Sequence, residues 1–294
     1  MIDELDFDSD DFSRLAEMEE ELEPDYWLSE PDLSDLDFSE LDSEAPEILL
    51  DVPYVPTDNK IVSAILDLAE VKRGDQLYDL GCGDGRIVVA AAMERGARGI
   101  GIDMDPMRIA EAMELAGNSM VEHMTDFLEG DLMEADFSDA TVVTLYLLDM
   151  VNLELRPRLL EELRPGTRIV SHAFDMADWK PDRHVRLGNI NLYKWIVPAM
   201  VGGHWQWHTT DGDCYQVSLK QKFQQLSGKA WRNGEQVQLH RALLHGDLLE
   251  LGIKHQPQDS PTNFVLRWRN QQLHQVDDHG LTAPASRLPN GTLA

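Results

Sequence analysis

The run YDLGCGDGRIVVAAA, residues 78–92, passes from a short apolar segment through glycines at 81, 83 and 85 into an Ala-rich, helix-forming stretch. Glycine has no Cβ, so it adopts backbone conformations closed to other residues and lets another group lie against the main chain. The helix that follows points unpaired N–H groups and the positive end of its dipole back at the loop. In an open α/β sheet, a strand, loop and helix arranged in this way mark a ligand site. The spacing then excludes ligands. A dinucleotide fingerprint needs a third glycine three positions after the second, where Arg86 stands. No Gly-Lys-Ser/Thr follows, which excludes a phosphate-binding P-loop. An acid at the end of the strand, Asp79, followed by Gly-x-Gly-x-Gly, suits a ligand with an amino-acid end better than a pyrophosphate.

The pattern around this run alternates. QLYDLG reads as a strand and GRIVVAAAME as a helix; GIGIDMD is the next strand and PMRIAEAMELAGNSM the next helix. Then come DFLEGDL, ATVVTLYLL, the helix LRPRLLEEL and TRIVSHAF. Strands separated by helical runs predict βαβ units and a doubly wound, Rossmann-like parallel sheet, here over residues 49–182. Thr57 or Asp58 caps an earlier helix with an apolar stripe of Ile61, Ile65, Leu66 and Leu68. After Pro181 the texture changes to strands and hairpins between Gly, Asn and Asp turns, which predicts a β-rich antiparallel C-terminal extension over 183–276, with a flexible tail over 277–294.

YDLGCGDGR resembles motif I of the class I S-adenosylmethionine-dependent methyltransferases. GIGIDMD is similar to motif II of that family and EGDLME to its third-strand motif. The resemblance implies S-adenosyl-L-methionine as cofactor. It places Gly81, Gly83 and Gly85 under the methionine and ribose, with Asp79 orienting the loop or meeting the ammonium and Asp84 close by. Asp103 would bond both ribose hydroxyls, Asp131 would lie near the adenine amine, Leu132 beside the ring, and Thr57 in the segment ahead of the loop. VPYVPTDNKIV, GDGRIVVAAA and FDMADWKPD resemble, over roughly 53–182, the ATP synthase c-subunit lysine methyltransferase group and its bacterial relatives.

That group implies transfer of a methyl to an amine such as a protein lysine. A small-molecule N- or O-methyltransferase is the enzymatic alternative, and a non-catalytic cofactor-binding interaction protein is the alternative of another class. An amine must arrive neutral, which asks for a carboxylate, a tyrosine or a relay to water at the end of the fourth strand. That end, TVVTLYLLDM, offers Tyr146 to line the acceptor pocket or bond the amine, and Asp149 as a base. His172, ending the fifth strand, is a further candidate base. The Asp/Asn-Pro-Pro-aromatic sequence of enzymes that methylate base amines is lacking here. No metal site is expected: His204 and His208, four apart on a strand, stand about 13 Å apart.

The net charge of -29 is uneven. Residues 1–50 hold about twenty acids against one base, with isolated large apolar residues between them, and residues 1–48 read as a disordered acidic tail with a docking partner as one role. Clustered Lys and Arg for phosphate contacts are missing, so no nucleic-acid partner is expected. Two cysteines make no disulfide framework, and no apolar run nears the ~20 residues that span a bilayer. The expected location is the cytoplasm, with no membrane partner.

Overall fold

The computed structural model describes residues 54–276 and 281–289. The expected tail 1–48 lies outside the described residues, as do 277–280 and 290–294; residues 281–289, expected to be part of a flexible tail, instead supply the strand Ser286–Leu288, which pairs with the second sheet. The first helix, α1 (Asn59–Leu68), starts at Asp58, whose carboxylate accepts from the Lys60 N–H at 2.8 Å; Thr57 is left for other work. The first unit then alternates β1 (Gln76–Leu80), α2 (Arg86–Ala90, extended by a π-helical turn over Ala91–Arg95), β2 (Arg98–Asp103), α3 (Pro106–Asn118), β3 (Thr125–Glu129), β4 (Val142–Leu145), α4 (Asp149–Glu162) and β5 (Arg168–His172). All these elements follow the sequence expectation.

The hairpin β6 (Arg183–Leu187) and β7 (Ile190–Ile196) departs from it. Expected in the extension, it completes the first sheet, whose order is β3-β2-β1-β4-β5-β7-β6. Because β7 runs antiparallel to β5, the sheet is mixed rather than wholly parallel. Short period-two strands look alike wherever they pair, so local texture did not separate this hairpin from those that follow. Its burial does: Leu187 and Leu192 join the core formed by α1, α2 and α3 on one face, while Trp195 joins Leu155, Leu159 and Trp179 on the other.

The second unit is an eight-stranded antiparallel sheet, β8 (Gly203–His208), β9 (Cys214–Lys222), β10 (Gln225–Arg232), β11 (Glu235–His245), β12 (Leu248–Lys254), β13 (Thr262–Arg269), β14 (Gln272–Gln275) and β15 (Ser286–Leu288). Strands β8 to β14 form a meander and β15 returns beside β8. Ala285 N–H donates to the Leu273 carbonyl at 2.8 Å, so the first and last strands of the order meet and the sheet closes into a barrel. Trp205 and Trp207, two apart on β8, both point into the barrel core with Tyr215, Phe264 and Leu266. Trp179 and Trp195 lie in the core of the first unit, and Trp205 and Trp207, with Trp268 against them, in that of the second. The units meet at the β9–β10 turn, where Phe223 stacks on Trp179 at 5.7 Å and Gln224 accepts from the Trp179 indole N–H at 3.0 Å.

Candidate active site

The C-terminal ends of β1, β2 and β4 open into a cleft with about 1010 Å³ of empty space, part of it continuous with solvent. Its wall includes Thr57, Asp79, Gly81, Gly83, Asp84, Asp103, Asp131, Leu132 and Tyr146. The strand ends splay here because β1 pairs with β2 on one side and β4 on the other, the switch point at which open α/β sheets bind ligands.

Each glycine of the loop has positive φ, +82° at Gly81, +52° at Gly83 and +75° at Gly85. What approaches each backbone differs. A Cβ on Gly83 would stand 2.4 Å from the Tyr54 ring, and one on Gly81 would stand 2.9 Å from Leu147. A Cβ on Gly85 would meet Phe127 and Ala112 at 2.6 and 2.7 Å. Gly81 and Gly83 thus belong to the cleft. Gly85 faces the core and lets α2 pack on the sheet; it is not in the cleft wall, contrary to the role the motif implied for it.

The carboxylates divide in the same way. Asp103, at the end of β2, accepts the Gly83 N–H at 2.8 Å and the Asp105 N–H at 3.0 Å, and its oxygens retain lone pairs for hydroxyl donors. Asp131 turns its own loop by accepting from Met133 N–H at 2.7 Å. Asp79 is buried; the Thr144 hydroxyl donates to it at 2.7 Å. Burial, reinforced by the charges of Asp103 and Asp84, pushes its carboxyl up to about 7, against the pull of the Thr144 bond. Asp84 is taken up elsewhere: Arg86 grips both its oxygens, at 2.9 and 2.6 Å.

Tyr146 is half-buried in the wall and stacks on His172 with 3.8 Å between centroids. Burial drops the His172 imidazole to about 4, so it is neutral and too weak a base for an ammonium. Asp149 opens α4, is exposed, and stands outside the cleft wall. Residues the sequence reading did not assign also shape the cleft: Tyr54, Arg86, Met104, Arg108 and Leu147. The Arg108 guanidinium lies 4.3 Å from the Tyr54 ring centre. Their only sequence signal was nearness to the motifs.

The cleft fits S-adenosylmethionine on its own chemistry. Aspartates 79, 84, 103, 105 and 131 line it against two arginines, a balance that repels a pyrophosphate and suits a ligand bearing an ammonium and a sulfonium. Gly81 and Gly83 bring their backbone to the cleft wall, and Asp103 stands where a diol could be bonded.

Comparison with known proteins agrees. The family described as the ANTKMT methyltransferase domain matches residues 79–183. A protein-lysine N-methyltransferase of Saccharolobus islandicus is 40% identical over 154 residues, 52% of this chain and 96% of that protein. The human ATP synthase c-subunit lysine N-methyltransferase is 30% identical over 131 residues, 45% of this chain and 55% of its own length. A crystal structure of an RNA methyltransferase from Salinibacter ruber with S-adenosyl-L-homocysteine is 52% identical, covers 50% of this chain and 96% of its own, and has a TM-score of 0.49. Residues 79–183 run from the end of β1 through β5 and hold most of the cleft wall, and the chain belongs with the Saccharolobus protein to the S-adenosylmethionine-dependent methyltransferases.

Proposed function

We propose that the acceptor is the ε-amine of a protein lysine. The observation that carries this is the 40% identity with a protein-lysine N-methyltransferase across nearly all of that protein's length. The cleft supports it: the acids that suit the cofactor also attract a lysine, and Tyr146 presents an aromatic ring with a hydroxyl in the wall.

When bound, the cofactor supplies a methyl group on a positively charged sulfur. The protein supplies placement. Asp103, which holds the Gly83 loop, would take the ribose hydroxyls, Asp131 and Leu132 would hold the adenine, and the Gly81–Gly83 loop would lie against the methionine part. Asp79, once a cation lies beside it, is held as a carboxylate. Met104, Leu147 and Val151 add apolar wall that excludes water, which raises the rate of an in-line displacement chiefly through alignment. The acceptor ammonium sheds its proton to solvent before it enters. His172 is too weak a base for that proton, and Asp149 lies off the wall. Tyr146 orients the neutral amine, and its stacking on His172 fixes the ring.

The test is transfer of tritiated methyl from S-adenosylmethionine into a cell lysate, followed by acid hydrolysis of the labelled fraction. Methyl-lysine in protein is the expected product. Label in the low-mass fraction, in RNA, or on another amino acid overturns the lysine reading while leaving the methyltransferase in place.

A further inference from the structure

We propose that Arg86 is a positioning residue for the cofactor, clamping the segment ahead of α1 over the glycine loop. Its guanidinium bonds in two directions. Nε and Nη2 donate to the two oxygens of Asp84 at 2.9 and 2.6 Å, and Nη1 donates to the backbone carbonyl of Thr57 at 2.6 Å. A planar fork that holds a carboxylate on one side and a carbonyl on the other fixes both at once, which an ammonium cannot do.

The clamp has two arms. Asp84 also bonds the Tyr54 hydroxyl, and the Tyr54 ring covers Gly83 with Arg108 stacked against it. The Thr57 hydroxyl lies 3.5 Å from His172 Nδ1, and His172 carries the Tyr146 ring. Residues 54–57, which form one wall of the cleft, are thereby tied to the cofactor loop through Arg86 and reach the acceptor side through Thr57. Asp84 acts through Arg86 and not on the cofactor. The same Arg86 occupies the position at which a dinucleotide fold needs glycine.

The proposal rests on the cofactor occupying this cleft and is independent of which acceptor is methylated. Calorimetric titration of the full chain with S-adenosyl-L-homocysteine tests it. Arg86→Met should raise Kd about tenfold, and Asp84→Asn by a similar factor. The double variant should be no weaker than about twice either single one, because both remove the same clamp. Arg86→Lys should recover part of the loss, with the melting temperature unchanged. If the two losses multiply to about a hundredfold, Asp84 touches the cofactor directly and the proposal fails. It fails equally if Arg86→Met binds like the native chain. Should Arg86→Met not fold, Asp84→Asn against Asp84→Asn with Arg86→Lys gives the same comparison. Native affinity in both of those overturns the clamp.

Discussion

Cofactor binding should be linked to the release of a proton from Asp79. This carboxyl is buried at the end of β1 with the Thr144 hydroxyl as donor, and it titrates at about 7 rather than the ordinary 3.8. At roughly 1.4 kcal/mol per pH unit, holding it ionised in the free protein costs about 4 kcal/mol. A bound ammonium or sulfonium offsets that cost, so the complex favours the carboxylate. Between about pH 5 and 7 the affinity for S-adenosylmethionine should climb by up to about tenfold per pH unit, then level off above 7. Melting temperatures would conceal this. Asp79 has a raised folded-state pKa, so the native state binds more protons from about 4 to 7, and its contribution to stability falls as pH rises through that window. His172 is lowered from 6.5 to about 4, so its contribution rises with pH over about 4 to 6.5. The two slopes largely cancel, and binding is the cleaner measurement. Calorimetric titration at several pH values, in two buffers of different ionisation enthalpy, counts the proton directly. Asp79→Asn should flatten the profile and weaken the plateau. Native binding that is flat from pH 5.5 to 8, with no proton released, would refute the assignment of Asp79 to the cofactor's cationic end.

Asp103→Ala removes two charge-assisted backbone bonds and the acceptor for the ribose, and should raise the cofactor Kd about ten- to a hundredfold in calorimetry with the fold intact by circular dichroism. Gly83→Ala places a Cβ 2.4 Å from Tyr54 in a left-handed conformation, so it should lose about 1–2 kcal/mol of thermal stability and displace the Tyr54 ring. Gly85→Ala, blocked by Phe127 and Ala112 in the core, should cost more stability than Gly83→Ala; the reverse order in urea melts would contradict the packing. Tyr146→Phe should lower kcat about ten- to a hundredfold and leave cofactor affinity alone, as read by steady-state transfer beside a binding titration.

Much of the fold was legible because its signals are local. Glycines at 81, 83 and 85, Asp103 ending the next strand, and a helix after each strand are all written within a few tens of residues. The β6–β7 hairpin was assigned to the extension because pairing partners are not a local property: Ile169 meets Trp195 across 26 positions, and nothing in RHVRL or INLYKWI says so. The site divides along the same line. Asp79, Gly83, Asp103 and Asp131 line the cleft because each sits at a strand end or in the loop just past one. Gly85 and Asp84 carry the right letters but are claimed by neighbours, Phe127 in one case and Arg86 in the other. Such claims depend on which side chains arrive from elsewhere. Tyr54 was invisible for the same reason: only the folded chain lays it over Gly83.

The meeting of Leu273 and Ala285 has a consequence for how the chain behaves in crowded solution. A strand edge is a template on which a stranger's strand can zip. Closing the eight-stranded sheet leaves no long free edge there, so the open edges among the described residues are those of the first sheet, β3 and β6. Strand β6 carries Arg183, His184 and Arg186 along its length, and β3 presents Asp126 and Glu129. One rim is basic and the other acidic, so a strand arriving at either must desolvate charge before it can pair, and each rim disfavours a strand of its own sign.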